Sequence, residues 1–202
     1  LSKGISWITF QNECAAIRID DQLCKQGKGI TLYSSFKQNL KGDKIYTVFE
    51  DSEGDEWILT NKGISIIGKK QVDSDFPFQY IKEADGIIYL VSQSDKLASY
   101  NFKTRQFKFI EIPYHVSMIN EVKKFDSNTL LLATDNGLII YKIKEKEFQL
   151  IDIRTSTQPS NVVQSVYQDH YKELWIFPQT TGVIRYNPST KEMQHLFTPA
   201  DE

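Results

Sequence analysis

The sequence has few of the residues that mark metal binding, disulfide cross-linking or membrane insertion. Its 202 residues include 2 cysteines, 3 histidines and 6 prolines, and the net charge is only −2. This balance of charge predicts no strong attraction to nucleic acid or to an anionic membrane surface. The longest apolar runs, at residues 86–91 and 130–133, have the length of strands and fall far short of the roughly 18 residues of a membrane helix.

The cysteines and histidines form no recognisable site. Cys14 and Cys24 are either two unrelated thiols or one local disulfide formed in an oxidising compartment. Their separation differs from the short spacing of common zinc sites, and no histidine lies nearby. His115, His170 and His195 are scattered and are expected at the surface or in loops. We therefore predict no metal and no cofactor.

The remaining composition indicates a folded chain. Hydrophobic residues make up 40% of the chain and aromatic residues 12%, which excludes a disordered chain. The first residue is Leu1, with no initiator methionine and no signal peptide, so we expect the sequence to begin inside a longer protein.

An internal repeat is the main signal. Asp51 precedes Trp57 by six positions, Asp169 precedes Trp175 by the same distance, and a glycine follows each tryptophan. Weaker copies of this pattern occur elsewhere in the chain. The positions equivalent to tryptophan are Trp7, Trp57, Tyr89, Leu131 and Trp175, in steps of 50, 32, 42 and 44 residues. The mean step of 42 residues is typical of β-propeller blades.

A second register supports the same period. Three tyrosines are each followed seven residues later by a large apolar residue, with a short polar turn between them: Tyr100 and Phe107, Tyr141 and Phe148, Tyr186 and Met193. Segments rich in valine, isoleucine, tyrosine and phenylalanine are bounded by aspartate, asparagine, glycine and proline, as in short strands. Sustained helical periodicity is absent, so no helix longer than about two turns is expected.

The predicted fold is all-β, with about five units of four antiparallel strands, A to D, in each propeller blade. The approximate units are residues 1–40, 41–75, 76–113, 114–157 and 158–202. We favour an arc of a larger seven-bladed propeller. The alternative is a closed five-bladed ring in which the first and last segments share one blade. In either case Asp51 and Asp169 are predicted to fix turns, and the tryptophans to pack between blades.

These residues resemble the two-component regulator propeller repeat. Its pattern of Asp, Gly, Trp-Ile, Thr and Gly-Leu is matched by Asp51, Gly54, Trp57-Ile58, Thr60 and Gly63-Ile64. Residues 166–187 and 132–138 give two further matches, and the resemblance extends weakly over nearly the whole chain. Pro178 in place of threonine, Lys96 near a glycine position and the irregular stretch 11–38 depart from the pattern.

The resemblance implies a place in the periplasmic sensor region of a hybrid two-component histidine kinase. Such regions contain paired seven-bladed propellers, which sense fragments of complex polysaccharides and control genes for their use. The resemblance further implies a non-catalytic segment whose partners are an oligosaccharide and the remaining blades and domains of the same receptor. It implies a homodimeric receptor and no nucleic-acid contact by this segment.

Ligand contacts are expected from the loops between strands B and C and between strands D and A, because these loops emerge on one face of a propeller. Their amides, carboxylates and aromatic rings suit sugar hydroxyls and pyranose faces. The candidate residues are Asn61, Lys62, Gln93, Asp95, Tyr114, His115, Asp135, Asn136, Asn161, Gln179 and Thr180.

Two other functions compete with ligand sensing. One is a sialidase-like enzyme, but Phe49 stands where the Asp-box serine would be. Such enzymes grip a carboxylate with three arginines, and the arginines here are Arg18, Arg105, Arg154 and Arg185. The other is a protein-interaction propeller without a small ligand, which an exposed apolar patch would favour.

Overall fold

We describe the fold from a computed structural model of the chain. The structure describes residues 5–10, 15–34, 40–42, 44–68, 74–84, 87–92, 94–101, 104, 106–156, 158–180 and 182–197. Cys14 and Gln93 lie outside these residues, and Cys24 is exposed. The pairing of the two cysteines stays a prediction.

The described residues form five antiparallel sheets, which we call blades 1 to 5 in chain order. Blades 1 and 2 contribute three strands each within these residues, and blades 3, 4 and 5 contribute four each. The strands are β1 (Ile5–Phe10), β2 (Ala15–Asp20) and β3 (Ile30–Ser34) in blade 1; β4 (Ile45–Glu50), β5 (Glu56–Thr60) and β6 (Gly63–Ile67) in blade 2; β7 (Tyr80–Ala84), β8 (Ile87–Val91), β9 (Leu97–Asn101) and β10 (Gln106–Ile110) in blade 3; β11 (Ile119–Asp126), β12 (Thr129–Thr134), β13 (Gly137–Lys142) and β14 (Glu147–Ile151) in blade 4; and β15 (Val163–Gln168), β16 (Leu174–Pro178), β17 (Val183–Tyr186) and β18 (Met193–Leu196) in blade 5.

The predicted all-β blade architecture is confirmed. Strands that are consecutive in sequence are neighbours in each sheet, as in a four-stranded meander. One helix, α1 (Asp21–Cys24), occurs in the described part of the chain and has only 4 residues. The predicted tyrosine hairpins join the third and fourth strands, with Tyr141 opposite Phe148 and Tyr186 opposite Met193.

The chain separates into two compact units. Unit 1 comprises Leu1–Ser92 and Ser99–Lys108, and unit 2 comprises Gln93–Ala98 and Phe109–Glu202. The blade boundaries given above and the choice between an arc and a closed ring stay predictions.

The core of unit 2 lies between blades 4 and 5. In β12, Leu131 and Ala133 face blade 5, while Leu130 and Leu132 point to the opposite side and are also fully buried. A strand that is buried on both faces needs a continuous apolar run rather than alternation, which the sequence TLLLAT supplies. The cluster is completed by aliphatic side chains and one tyrosine: Leu138, Ile140, Ile151, Ile153, Val163, Val166, Leu174, Ile176, Ile184 and Tyr186.

Blades 1 and 2 meet within unit 1 through a partly buried ion pair. Arg18 of β2 places its Nε 3.1 Å from Glu56 Oε1 of β5, and its Nη2 lies 3.7 Å from Glu50 Oε2. Both charged groups are partly buried and have therefore lost part of their hydration. Close contact between them is needed to offset the free-energy cost of that loss. The arginine therefore has a structural partner at this blade contact.

The repeated aspartate fixes the turn between strands A and B. In blade 2 the Asp51 carboxylate accepts the backbone N–H groups of Glu53 and Asp55 at 2.9 and 3.0 Å. Its second oxygen accepts the Trp57 indole N–H at 2.8 Å. The aspartate thus binds both the turn and the side chain that follows it, which accounts for the six-residue spacing.

Blade 5 repeats this arrangement, and its aspartate is expected to make the turn sensitive to acid. The hydrogen bond from Trp175, with help from the backbone N–H groups of Glu173 and Tyr171, holds the pKa of Asp169 below its ordinary value of 3.8. A lowered pKa means that the folded state favours the charged form of Asp169. The charged carboxylate therefore stabilises the folded state, and this stabilisation is fully present above pH 3.8. It is lost as the pH falls through the folded-state pKa.

This expectation is checked by following the Trp175 indole N–H resonance in an acid titration. We expect the resonance to shift with a midpoint below pH 3.8. The Asp169→Asn variant should show no such transition, because its amide does not titrate. A midpoint at or above the ordinary aspartate value would contradict the assigned cause.

Candidate functional site

The turns between strands B and C in blades 2 and 4 are tight and closed by a threonine. Thr134 donates its hydroxyl to the Gly137 carbonyl at 2.7 Å and accepts the Asn136 N–H at 3.1 Å. Thr60 makes the same two bonds with Gly63 and Lys62 in blade 2, at 2.9 and 3.2 Å. The hydroxyl therefore replaces solvent at a buried turn and holds its two central residues in place.

The first residue of each of these turns is tied back to the start of its blade. The Asp135 N–H donates to the Met118 carbonyl, and the Asp135 carboxylate accepts the Ser117 N–H at 3.0 Å. In blade 2, Asn61 does the same with both backbone groups of Lys44. These two predicted ligand contacts thus stabilise the junction between the incoming chain and the turn.

A bridge of two amides joins the loops of blades 4 and 5. Asn161 donates from Nδ2 to Asn136 Oδ1 at 3.0 Å, and its own Oδ1 accepts the Ile153 N–H at 2.9 Å. Asn136 in turn donates from Nδ2 to the His115 carbonyl at 2.9 Å. The Gly137 N–H donates to the Asn161 carbonyl at 2.6 Å, so three successive loops form one bonded network.

We call this network, with the adjoining turn of blade 5, the loop rim of unit 2. It comprises residues 113–118, 135–136, 152–156, 158–162 and 179–180. The last of these segments joins the network because the Gln179 N–H donates to the Val162 carbonyl at 2.9 Å.

The turn of blade 5 departs from the threonine-closed pattern. Pro178 replaces the threonine and has no hydroxyl, and three residues rather than two separate it from Gly182. Gln179 and Thr180 are exposed on this longer turn. This turn is therefore longer than the threonine-closed turns of blades 2 and 4.

The structure brings together seven of the eleven predicted residues in the loop rim of unit 2. Asp135, Asn136 and Asn161 are held by the bonds described above, and His115 is exposed. Tyr114 is half-buried, and its hydroxyl donates to the Phe148 carbonyl at 3.1 Å. The full set is Tyr114, His115, Asp135, Asn136, Asn161, Gln179 and Thr180.

The remaining four predicted residues are placed elsewhere or are not described. Asn61 and Lys62 belong to unit 1. Asp95 lies in unit 2, where the Lys96 ammonium is 2.9 Å from its carboxylate, and this hydrogen bond holds the pKa of Asp95 below its usual range. Gln93 lies outside the described residues.

Sequence reasoning missed Gln158 on the same rim. This side chain is only 7% exposed, and its Nε2 has no hydrogen-bond partner among the described residues. Its backbone N–H donates to the Thr155 hydroxyl at 3.0 Å within a short turn of the loop. A glutamine in a polar loop gives no sequence signal, because only the folded loop buries its amide.

A surface ion pair also lies on the rim. Arg154 Nε donates to both carboxylate oxygens of Asp152, at 3.0 and 3.1 Å, and this contact holds the pKa of Asp152 low. The pair neutralises itself, so it leaves no net charge to select a strongly anionic or cationic ligand.

The described part of the chain offers no metal centre and no membrane-crossing helix. Clusters of three or more His, Cys, Asp or Glu side chains suited to a metal are absent from it. Its helical residues are too few and too polar to cross a membrane.

Sequence comparison gives a distant relative of the chain. No family model matches. A curated protein from Formosa agariphila, histidine kinase P4, is 22% identical over 156 residues, or 77% of this chain. The chain spans only 9% of the length of that protein.

The fold is shared with extracellular domains of bacterial signalling proteins. The extracellular domain of BT3049 from B. thetaiotaomicron, assigned as a hybrid two-component system, superposes with a TM-score of 0.68 over 89% of this chain at 20% identity. That of BT4673 from the same organism superposes with a TM-score of 0.66 over 88%. The chain covers 24% and 25% of these proteins, respectively.

Proteins of other functions have the same fold. A catalytically inactive variant of virginiamycin B lyase from Staphylococcus aureus, bound to quinupristin, gives a TM-score of 0.69 at 18% identity, over 98% of this chain and 68% of its own. The comparisons confirm the predicted propeller blades and the resemblance to sensor domains of hybrid two-component systems at the level of the fold. Identities this low show the fold alone.

Proposed function

We propose that the chain is a non-catalytic, ligand-sensing segment of a periplasmic two-component receptor, and that its ligand is an oligosaccharide. The observation that carries the proposal is the shared fold with extracellular domains of two-component systems, together with the likeness to a histidine kinase. The rest of the receptor supplies further blades and domains, a kinase and a second subunit. This segment makes no contact with nucleic acid.

The loop rim of unit 2 provides suitable chemistry for sugar hydroxyls. Gln179 offers both an amide donor and a carbonyl acceptor, and Thr180 and His115 each donate or accept as required. All three are exposed. They are displayed on a base that Asn136 and Asn161 hold through hydrogen bonds, so little further ordering is needed when a ligand binds.

Signalling requires that the ligand prefer one arrangement of the receptor. A ligand that binds the loop rim more tightly in one arrangement of the dimer shifts the population toward that arrangement. The activity of the kinase changes with this shift. A change in ligand affinity at the loop rim should therefore also change the signal output of the kinase.

The test replaces Gln179 and Thr180 by alanine in the intact receptor. A glycan array first identifies an oligosaccharide that the unmodified sensor region binds. We then expect the double variant to bind it about tenfold more weakly in calorimetry, because two hydrogen bonds at about 0.5–1.5 kcal/mol each are lost. Target-gene induction should need a correspondingly higher ligand concentration.

A matched control is Ser127→Ala, an exposed polar residue in the strand A–B turn of blade 4, at the opposite end of the sheet. It should change neither affinity nor induction. Unchanged affinity in the double variant would remove the loop rim as the sensing surface. If the intact sensor region binds no glycan, the oligosaccharide assignment itself is wrong.

Two alternative functions predict other outcomes of the same array and calorimetry. A protein-interaction propeller would bind no glycan and would instead capture a protein through exposed aromatic side chains. A glycan-active enzyme, or a lyase like the virginiamycin B lyase neighbour, would convert a bound substrate, which product analysis by mass spectrometry detects.

A further inference from the structure

The turn between strands B and C of blade 4 contains the single Asn-Gly pair of the sequence, Asn136-Gly137. The equivalent pair in blade 2 is Lys62-Gly63, with lysine in place of asparagine. Asparagine before glycine is chemically labile, because glycine has no side chain to shield its backbone nitrogen from the asparagine amide. Blade 4 therefore carries a candidate site of deamidation that blade 2 lacks at the same place.

The fold requires both residues of this pair. A Cβ added at Gly137 would lie 2.6 Å from the Ile151 carbonyl oxygen, so no larger residue fits there. Asn136 donates from Nδ2 to the His115 carbonyl at 2.9 Å, and its Oδ1 accepts from Asn161 Nδ2 at 3.0 Å. A side-chain amide can donate and accept in this way at the same time. The labile pair is thus built into the loop rim.

The reaction at this pair needs only water. After losing its proton to base, the Gly137 backbone nitrogen attacks Asn136 Cγ. A new N–C bond forms, the Cγ–Nδ2 bond breaks, and ammonia leaves with the proton. Water then opens the resulting five-membered ring at one carbonyl or the other, which gives aspartate or isoaspartate at position 136.

The folded loop rim opposes this reaction at both reacting atoms. The Gly137 N–H donates to the Asn161 carbonyl at 2.6 Å, so the nitrogen keeps its proton engaged. The Asn136 amide is bonded on both sides, so rotation of the side chain during attack breaks its contacts with His115 and Asn161. Attack therefore requires the rim to open locally.

The product cannot restore the contacts of the rim. A carboxylate at position 136 has no N–H group to donate, so it would place a second acceptor against the His115 carbonyl. In isoaspartate the backbone passes through the former side chain and is one atom longer, which distorts the turn that Thr134 closes. Deamidation thus converts a transient opening into a lasting change of the rim.

We propose that Asn136-Gly137 is a deamidation site, and that the amide bridge between Asn136 and Asn161 protects it in the folded chain. The rate of the reaction then follows how often the loop rim opens. The proposal does not depend on sugar binding, because the chemistry involves only this chain and water.

The experiment measures isoaspartate at position 136 by peptide mapping with fragmentation mass spectrometry. The full chain is kept in mildly alkaline buffer, folded in one sample and unfolded by urea in the other. We expect the folded chain to convert about tenfold more slowly, since opening must break two hydrogen bonds of modest net strength. Equal rates in the two samples would overturn the protection, and no isoaspartate in the unfolded chain would overturn the site.

Asn161→Ala tests the bridge directly. It removes the donor to Asn136 Oδ1 and should raise the rate in the folded chain about fivefold. The matched control is Asn128→Ala, in the strand A–B turn at the opposite end of blade 4, where the side chain bonds Lys144 and Glu145. The control should leave the rate at position 136 unchanged. An equal rise in both variants, or none in Asn161→Ala, would contradict the role of the bridge.

A second variant allows for an Asn161→Ala chain that does not fold. Asn161→Asp keeps an oxygen to accept the Ile153 N–H, now at 2.9 Å, but has no donor for Asn136. Circular dichroism establishes that the variant retains its sheets. We expect a rise in rate similar to that of the alanine variant. A folded Asn161→Asp chain that converts at the unmodified rate would show that the bridge does not protect the site.

Discussion

Replacing Asp51 by alanine is expected to lower the free energy of unfolding by about 3–5 kcal/mol. The side chain is only 5% exposed and accepts three hydrogen bonds, from Glu53, Asp55 and the Trp57 indole. Each buried donor left without an acceptor costs about 1–3 kcal/mol, and two of these three donors are buried. Denaturant unfolding followed by circular dichroism measures the difference.

Two variants give this prediction its controls. Asp51→Asn keeps one carbonyl oxygen and should cost less than alanine. Asp126→Ala removes an aspartate from the corresponding turn of blade 4, where it accepts a single exposed N–H from Asn128 at 2.7 Å, and should cost under about 1 kcal/mol. If the Asp51 and Asp126 variants lost equal stability, the three-bond arrangement would not be what stabilises the repeat.

The same arrangement explains how far the sequence could predict the fold. Asp51 and Trp57 are close in sequence, and a carboxylate before a turn commonly accepts hydrogen bonds from the backbone of that turn. The spacing alone therefore predicted a structural role for Asp51. The hairpins of Tyr141 with Phe148 and of Tyr186 with Met193 were also predicted as observed, because a short polar turn joins the two strands of each. The strands β6 and β13 begin at Gly63 and Gly137, because each glycine pairs across its turn with a threonine.

The candidate site was less accessible to prediction because its contacts join distant parts of the chain. Asn136 and Asn161 were selected as ligand contacts for their polarity, yet 25 residues separate them and they bond each other. No local pattern reveals such a bridge. Pro178 did mark the unusual turn in the sequence, because losing a threonine hydroxyl breaks a repeated local interaction. The buried amide of Gln158 gave no signal at all.

Replacing Gly63 by alanine is the second substitution expected to have a large effect. Gly63 has a φ of +127°, and a Cβ added there would lie 2.1 Å from the Ser74 carbonyl oxygen. That oxygen accepts the Ile64 N–H at 3.1 Å, so it has little freedom to withdraw. Backbone strain of about 1–3 kcal/mol adds to overpacking of about 1–3 kcal/mol, for a total loss of about 2–6 kcal/mol.

Gly54→Ala separates the two causes. Gly54 also has a positive φ, +85°, but nothing lies within 4 Å of an added Cβ. Only backbone strain applies at Gly54, so its substitution should lower the free energy of unfolding by about 1–2 kcal/mol. Denaturant unfolding of both variants, measured against the unmodified chain, gives the comparison. Equal losses would mean that the approach of Ser74 to Gly63 contributes nothing, and that the glycine is required for its backbone conformation alone.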